Sequence, residues 1–331
     1  MEICTEVQLA SGPADVHGGR SADYRKIFAM QNKNTLFRFL ITVAMISMVA
    51  CSSGPQLDTP TYQLSAQDRE TTDLADVTAD ALELSTQAGK QKLLVVFDID
   101  NTLLAMEQGL GADQWYDWQK ALNSADRCNP HNVGDRFAVQ GALYFASAMR
   151  PTQQDAAGQV RSIQDHGIPV IALTSRGPEY RLQTFRELRR NGYSFVHSAI
   201  GPQGGYDGLF MPVQDGRFSR YEDGVFLTAG QHKGQMLLAL LKKTGSAMPE
   251  IIVMIDDKQK NLNAIKETFS ALDIPVHAWR YIGEDENVRN FDPVQANTQW
   301  ESIEAPLRQI QEVLGPDNYD LTTAVLPAEC Q

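Results

Sequence analysis

The stretch LLVVFDIDNT, Leu93 to Thr102, decides the fold. Five apolar residues in a row, mostly of strand-favouring types, predict a strand buried on both faces, and such strands usually belong to parallel sheets. Asp98 and Asp100 come where that strand runs out. The pattern recurs at PVIALTS (Pro169 to Ser175) and IIVMIDD (Ile251 to Asp257), with a weaker copy over Ile274 to Tyr281. Each strong run ends in side chains able to do chemistry: Asp98, Asp100 and Thr102; then Thr174, Ser175 and Arg176; then Asp256 and Asp257.

Between the runs, apolar residues fall at helical spacing. Leu74, Val77, Ala81 and Leu84 predict an amphipathic helix within 71–88, and Ala156, Val160 and Ile163 a second. Phe185 and Leu188 mark a third, closed by Asn191 and Gly192. Two more carry Met236, Leu237, Leu240 and Leu241, and Leu262, Ile265, Phe269 and Leu272. Buried strands alternating with such helices predict an α/β domain, a doubly wound parallel sheet of Rossmann-like type. Two cap-type insertions interrupt the rhythm. Residues 105–150, after the first strand, hold Trp115, Tyr116 and Trp118. Residues 194–230, after the second strand-helix unit, are rich in glycine and aromatics and predict hairpins. The Trp115/Trp118 pair reads as the core of its insertion in preference to a substrate platform.

The N-terminal part has another character. FLITVAMISMVA, Phe39 to Ala50, is shorter than the about 20 apolar residues of a membrane span. It fits the hydrophobic region of a signal peptide, with Lys33 and Arg38 before it. MVAC, Met48 to Cys51, resembles a bacterial lipobox. That resemblance implies lipidation of Cys51 and anchoring in the bacterial cell envelope, and Ser52 is similar to the sorting residue of lipoproteins sent to the outer membrane. Residues 1–50 then form an extension and signal peptide, with Met1 or Met30 as the start. Residues 51–70 form a polar tether, and 71–331 a single folded domain. Beyond residue 50 the chain carries 24 basic and 37 acidic side chains, which argues against nucleic acid as a partner. Cys128 and Cys330 remain once Cys4 and Cys51 are set aside, able to pair in an oxidising compartment or to stay as thiols. No Cys/His spacing suits zinc, and no phosphate-binding P-loop sequence is present.

Ligands of open α/β sheets bind beyond the carboxyl ends of the strands. Parallel strands therefore bring Asp98, Asp100, Thr174, Asp256 and Asp257 to one edge, and Lys233 opens the helix before the third run. Crowded carboxylates repel each other unless a cation is present, and an all-oxygen set favours a hard ion such as Mg²⁺. One ionised carboxylate can attack phosphorus while a second, kept protonated, donates to the leaving oxygen. Lys233 and Thr174 can hold the phosphoryl oxygens.

In their order, FDIDNT, ALTSRG, Lys233 and IDD resemble the four motifs of the haloacid-dehalogenase-like (HAD) superfamily over about residues 91–281. The chain also looks like an uncharacterised bacterial branch of it, a domain of unknown function. The resemblance implies Asp98 as nucleophile and Asp100 as general acid/base, Thr174 and Lys233 on phosphate, and Thr102 bracing the loop. It places Mg²⁺ between Asp98, Asp256 and the Asp100 backbone carbonyl, with help from Asp257. The implied activity is hydrolysis of a phosphorylated small molecule outside the cytoplasm. Transfer to an acceptor other than water, and a partner-binding lipoprotein without catalysis, are the rivals. Arg176 reads equally as a substrate contact or a structural ion pair, and Asp257 as a metal ligand or helix cap. Asn261 reads as support for the metal loop or as solvent-facing. Lys242 and Lys258 compete with Lys233, and His232 reads as a bystander.

Overall fold

Residues 64–201 and 217–330 are described by a computed structural model. In chain order the elements begin with β1 (Gln67–Thr71), α1 (Leu74–Ala88), β2 (Leu93–Phe97), β3 (Leu104–Met106), α2 (Asp113–Ala125) and α3 (Arg136–Ala146). Next come β4 (Met149–Pro151), α4 (Ala156–Asp165), β5 (Val170–Thr174), α5 (Arg181–Arg190), β6 (Arg220–Glu222) and β7 (Val225–Leu227). The last are α6 (Lys233–Thr244), β8 (Ile251–Asp256), α7 (Gln259–Ser270), β9 (Val276–Tyr281), α8 (Asp285–Arg289) and α9 (Pro293–Leu314).

The main sheet runs β1-β9-β8-β2-β5-β7-β6, and every neighbouring pair is parallel apart from β6 with β7. The chain steps outward from β2 to β5 and β7, then crosses back to β8 and β9 on the other side. β2 is thus the switch point of a doubly wound α/β sheet, where the carboxyl ends open a crevice. Both faces of β2 are buried, as its uninterrupted apolar run demands. Leu93, Val95 and Phe97 pack with the apolar stripes of α1 and α4, whereas Leu94 and Val96 meet those of α6 and α7.

The first insertion springs from a short antiparallel ribbon of β3 and β4 and holds α2 and α3. Its own apolar cluster, with Trp115 fully buried, is completed by Ala296, Trp300 and Leu307 of α9. That helix was not anticipated: its periodicity is interrupted by Pro306, which the helix tolerates within its length. The tether ends earlier than its polar composition suggested. Gln67–Thr71 pairs with β9 in register from Gln67 opposite His277 to Thr71 opposite Tyr281, an edge strand held by backbone bonds and lacking a continuous apolar face. Asp73 accepts the Ala75 amide at 2.9 Å and caps α1. In the second insertion β6 and β7 form a hairpin. Its turn residues Asp223 (φ 49) and Gly224 (φ 77) both take left-handed backbone, the requirement of a mirror-image two-residue turn. Cys128 and Cys330 are joined as a disulfide. Residues 1–63, with Cys51 and the apolar run, and residues 202–216 lie outside the described residues. Among the described residues no helix is long and apolar enough to cross a membrane.

Candidate active site

Asp98 lies one residue past β2, 5% exposed, and its amide donates to the Ile255 carbonyl at 2.9 Å. The register of β2 on β8 therefore sets Asp98 beside Asp256, the last residue of β8. Lys233, the first residue of α6, is 2% exposed. Its Nζ donates to Asp98 Oδ1 at 2.6 Å and to Asp256 Oδ2 at 2.6 Å. The next residue makes this approach possible. A Cβ on Gly234 would come within 2.1 Å of the Ala264 carbonyl oxygen, so only glycine lets the first turn of α6 lie against α7.

The other oxygen of Asp256 accepts from the Lys258 amide at 2.9 Å and from Asn261 Nδ2 at 2.8 Å. Asn261 thus steadies this loop. Asp257 supplies no side-chain cap to α7. Its amide donates to Thr102 Oγ1 at 3.0 Å, and the Thr102 carbonyl accepts from Thr152 at 2.6 Å, so Thr102 ties three loops together. His232 accepts the Gln235 amide at 3.3 Å and caps α6.

Asp98, Asp256 and Asp257 each offer a carboxylate oxygen, all within 4.8 Å of one another. One buried ammonium against three carboxylates leaves an excess of negative charge. Burial first, then Asp256, push the Asp98 pKa up to about 8 against the pull of Lys233. Burial and the charges of Asp256 and Asp98 likewise hold Asp257 well above the carboxylate range. Burial alone would lower Lys233, but Asp256 and Asp98 outweigh it and raise it. An all-oxygen donor set with surplus negative charge suits a hard divalent cation.

Asp100 is held differently. Arg176 donates Nη2 to Oδ1 at 2.7 Å and Nε to Oδ2 at 3.0 Å, a two-pronged ion pair. Arg176 also donates to Thr184 Oγ1 at 2.9 Å and lies 4.5 Å over the Tyr144 ring. Burial would raise Asp100, yet Arg176 outweighs it and holds the carboxyl below its usual range. This pairing sets Asp100 apart from the other acids, since the proton that an acid/base role asks of it must be held against Arg176. Asp98 faces two other acids and is raised, while Asp100 faces a guanidinium and is lowered. Thr174, fully buried, accepts the Arg176 amide at 3.1 Å and stands 3.5 Å from Asp100 Oδ2. Asn101 takes φ 56, a left-handed value that asparagine tolerates, and turns the chain so that Ile99 O accepts three amides.

Asp98, Asp100, Arg176, Lys233, Asp257 and Asn261 form the floor of a cavity of about 720 Å³, lined also by Ser175 and roofed by Tyr116, Arg136, Phe137 and Tyr144 of the first insertion; Thr174 and Asp256 lie fully buried beneath that floor. The insertion is fastened to the floor through Lys258, which pairs with Asp113 and, at 2.8 Å, with Asp117. Lys258 is therefore engaged elsewhere and does not share the place of Lys233. The sequence pointed to an insertion over the mouth of the site but singled out none of its residues as lining. The signal was present in α2, where Asp113, Tyr116, Asp117 and Lys120 recur at helical spacing and share the face turned to the cavity.

The family described as "Protein of unknown function (DUF2608)" matches residues 70–312. The chain belongs to this family. The DUF2608 span runs from β1 into α9 and takes in every residue of the cavity floor together with both insertions, whereas Cys330 lies beyond it. No curated protein matches the chain.

Proposed function

We propose that this DUF2608 protein is a Mg²⁺-dependent phosphomonoester hydrolase of the HAD type, exported and lipid-anchored in the cell envelope through Cys51. The supporting observation is the Lys233 ammonium bridging Asp98 and Asp256 at 2.6 Å each, at the carboxyl end of the central strand and the floor of a cavity. In the first half-reaction an Asp98 oxygen attacks phosphorus, the bond to the leaving oxygen breaks, and that oxygen takes a proton from Asp100. In the second, water attacks the aspartyl phosphate and gives its proton to Asp100. Phosphate then leaves and Asp98 is restored. Lys233 and the Thr174 hydroxyl stabilise charge on the phosphoryl oxygens.

This cycle starts with Asp98 ionised and Asp100 protonated, against the directions in which their neighbours shift them. Mg²⁺ bound by Asp98, Asp256 and Asp257 would supply the positive charge that keeps Asp98 ionised and neutralises the phosphoryl group. A phosphoryl dianion in the cavity competes with Asp100 for Arg176, and Asp100 so released can carry the proton. The test is hydrolysis of an aryl phosphate by the full chain in detergent, with Mg²⁺ or with chelator, beside Asp98→Asn. Turnover should vanish with chelator and in the variant. Unchanged turnover in Asp98→Asn overturns the mechanism, and no turnover across a broad panel of phosphomonoesters removes the hydrolase reading.

A further inference from the structure

The roof of the cavity holds an anomaly. Arg136, the first residue of α3, is half-buried, and its guanidinium lies 4.9 Å from the Tyr116 ring and 4.8 Å from the Phe137 ring. Its Nη2 donates to Tyr116 Oη at 3.3 Å, while its Nε is buried with no hydrogen-bond partner among the described residues. Every other buried or half-buried arginine among the described residues faces a carboxylate, as Arg150 faces Glu284 and Arg181 faces Glu222. Arg136 faces none. The neighbouring Asp135 is committed to the Phe137 and Ala138 amides and to Thr323. A buried donor left without a partner is costly to keep, and the planar fork of the guanidinium matches a carboxylate or phosphate.

Two further cations that have no ion pair among the described residues, Lys120 and Lys260, line the same cavity, in a chain whose net charge is −12. The floor already accounts for one phosphoryl group, and about 720 Å³ is the scale of a whole organic ligand. Phe137, 44% exposed, offers an aromatic surface beside the guanidinium.

We propose that Arg136, held between Tyr116 and Phe137, is a specificity-determining residue that binds a second anionic group on the substrate's leaving portion. The substrate class is then a phosphomonoester of a cyclic or aromatic alcohol that bears a further phosphate or carboxylate. This rests on the hydrolase reading above for the placement of the scissile phosphate, and the subsite itself is testable without turnover.

The full chain in detergent with Mg²⁺ is compared on phenyl phosphate and 4-carboxyphenyl phosphate for kcat/KM. Equilibrium binding is compared for the non-hydrolysable phenylphosphonate, 4-carboxyphenylphosphonate and 1,4-phenylenebisphosphonate. The second anion should raise kcat/KM and affinity about tenfold or more, the scale of a charge-assisted contact. In Arg136→Gln the ratio between members of each pair should fall towards one, with Arg136→Lys between. A preference for the carboxylate or the bisphosphonate assigns the anion, and either supports the subsite. Equal values in the unaltered protein, or a ratio that survives in Arg136→Gln, overturn it. Binding preference without turnover of any ester keeps the subsite and removes the hydrolase reading. Turnover without preference does the reverse.

Discussion

Replacing Lys233 by methionine keeps most of the side-chain volume and removes only the charge, so the variant isolates what the ammonium does for the two acids it bridges. The side chain is 1% exposed and both contacts are 2.6 Å, so the ammonium is the main partner of both carboxylate oxygens it meets. Removing one partner from a buried ion pair costs about 3–5 kcal/mol, because the partner left behind is an uncompensated charge. Asp98, with its pKa already pushed up to about 8, answers near neutral pH by holding a proton. The uncompensated charge is then mainly that of Asp256, which keeps its bonds from the Lys258 amide and Asn261. The lower end, about 3 kcal/mol, is therefore expected. At about 2 °C per kcal/mol for a domain of this size, melting should fall by about 6 °C in chelator. Saturating Mg²⁺ should narrow the gap, since a divalent ion compensates the same carboxylates. Lys233→Met with Asp98→Asn should lose less than the sum of the single changes. The folded pKa of Lys233 is raised, so its stabilisation is complete below the unfolded value of about 10.4 and disappears only as pH rises beyond that. Differential scanning fluorimetry at neutral pH reads the gap and its response to Mg²⁺, and a series extended to pH 11 reads the loss. A variant that melts at or above the unaltered protein in chelator, or a gap that ignores Mg²⁺, would refute the electrostatic account.

Mg²⁺ binding near pH 7 should release protons, because burial and neighbouring carboxylates raise both Asp98 and Asp257. Calorimetry in buffers of different ionisation enthalpy counts them, and a count of zero contradicts the proton inventory. Asp80, buried under β1 and β9, accepts from His277, Trp279 and Arg69 at 2.8–3.0 Å. Burial raises its pKa but these partners outweigh that and lower it, so its stabilisation is present above the unfolded value of about 3.9 and lost as pH falls through the folded one. Asp80→Ala should cost about 3 kcal/mol at pH 7, with the difference shrinking below pH 4; a pH-independent difference in urea melts would count against it. The Cys128–Cys330 bond closes a loop of 202 residues, so Cys128→Ser should destabilise by about 2–4 kcal/mol. Identical melting with and without reductant in the unaltered protein would show that the bond adds nothing to stability.

The central strands, and the edge at which their chemistry gathers, were legible from composition and order alone. LLVVF, VIALT and IIVMID are apolar on both pleat faces, and such runs are stable only with helices on either side. Their order along the chain then places Asp98, Thr174 and Asp256 at one set of strand ends. β1 was not legible, because QDRET owes its strand to backbone bonds with β9 and not to any periodicity of its own. α9 was obscured by Pro306, and its apolar face finds a partner only in the insertion. Tertiary structure alone decided which charges meet. Two acids two residues apart, Asp98 and Asp100, look interchangeable in sequence. One faces carboxylates and the other Arg176, contributed by a strand end 76 positions away, and their proton affinities move in opposite directions. Tertiary packing likewise engaged Lys258 with Asp113 and Asp117, and left Arg136 between two aromatic rings without an acid. Periodicity records which side of an element is apolar, a local property. Ion pairing depends on distances between elements far apart in the chain, and those distances exist only once the chain has folded.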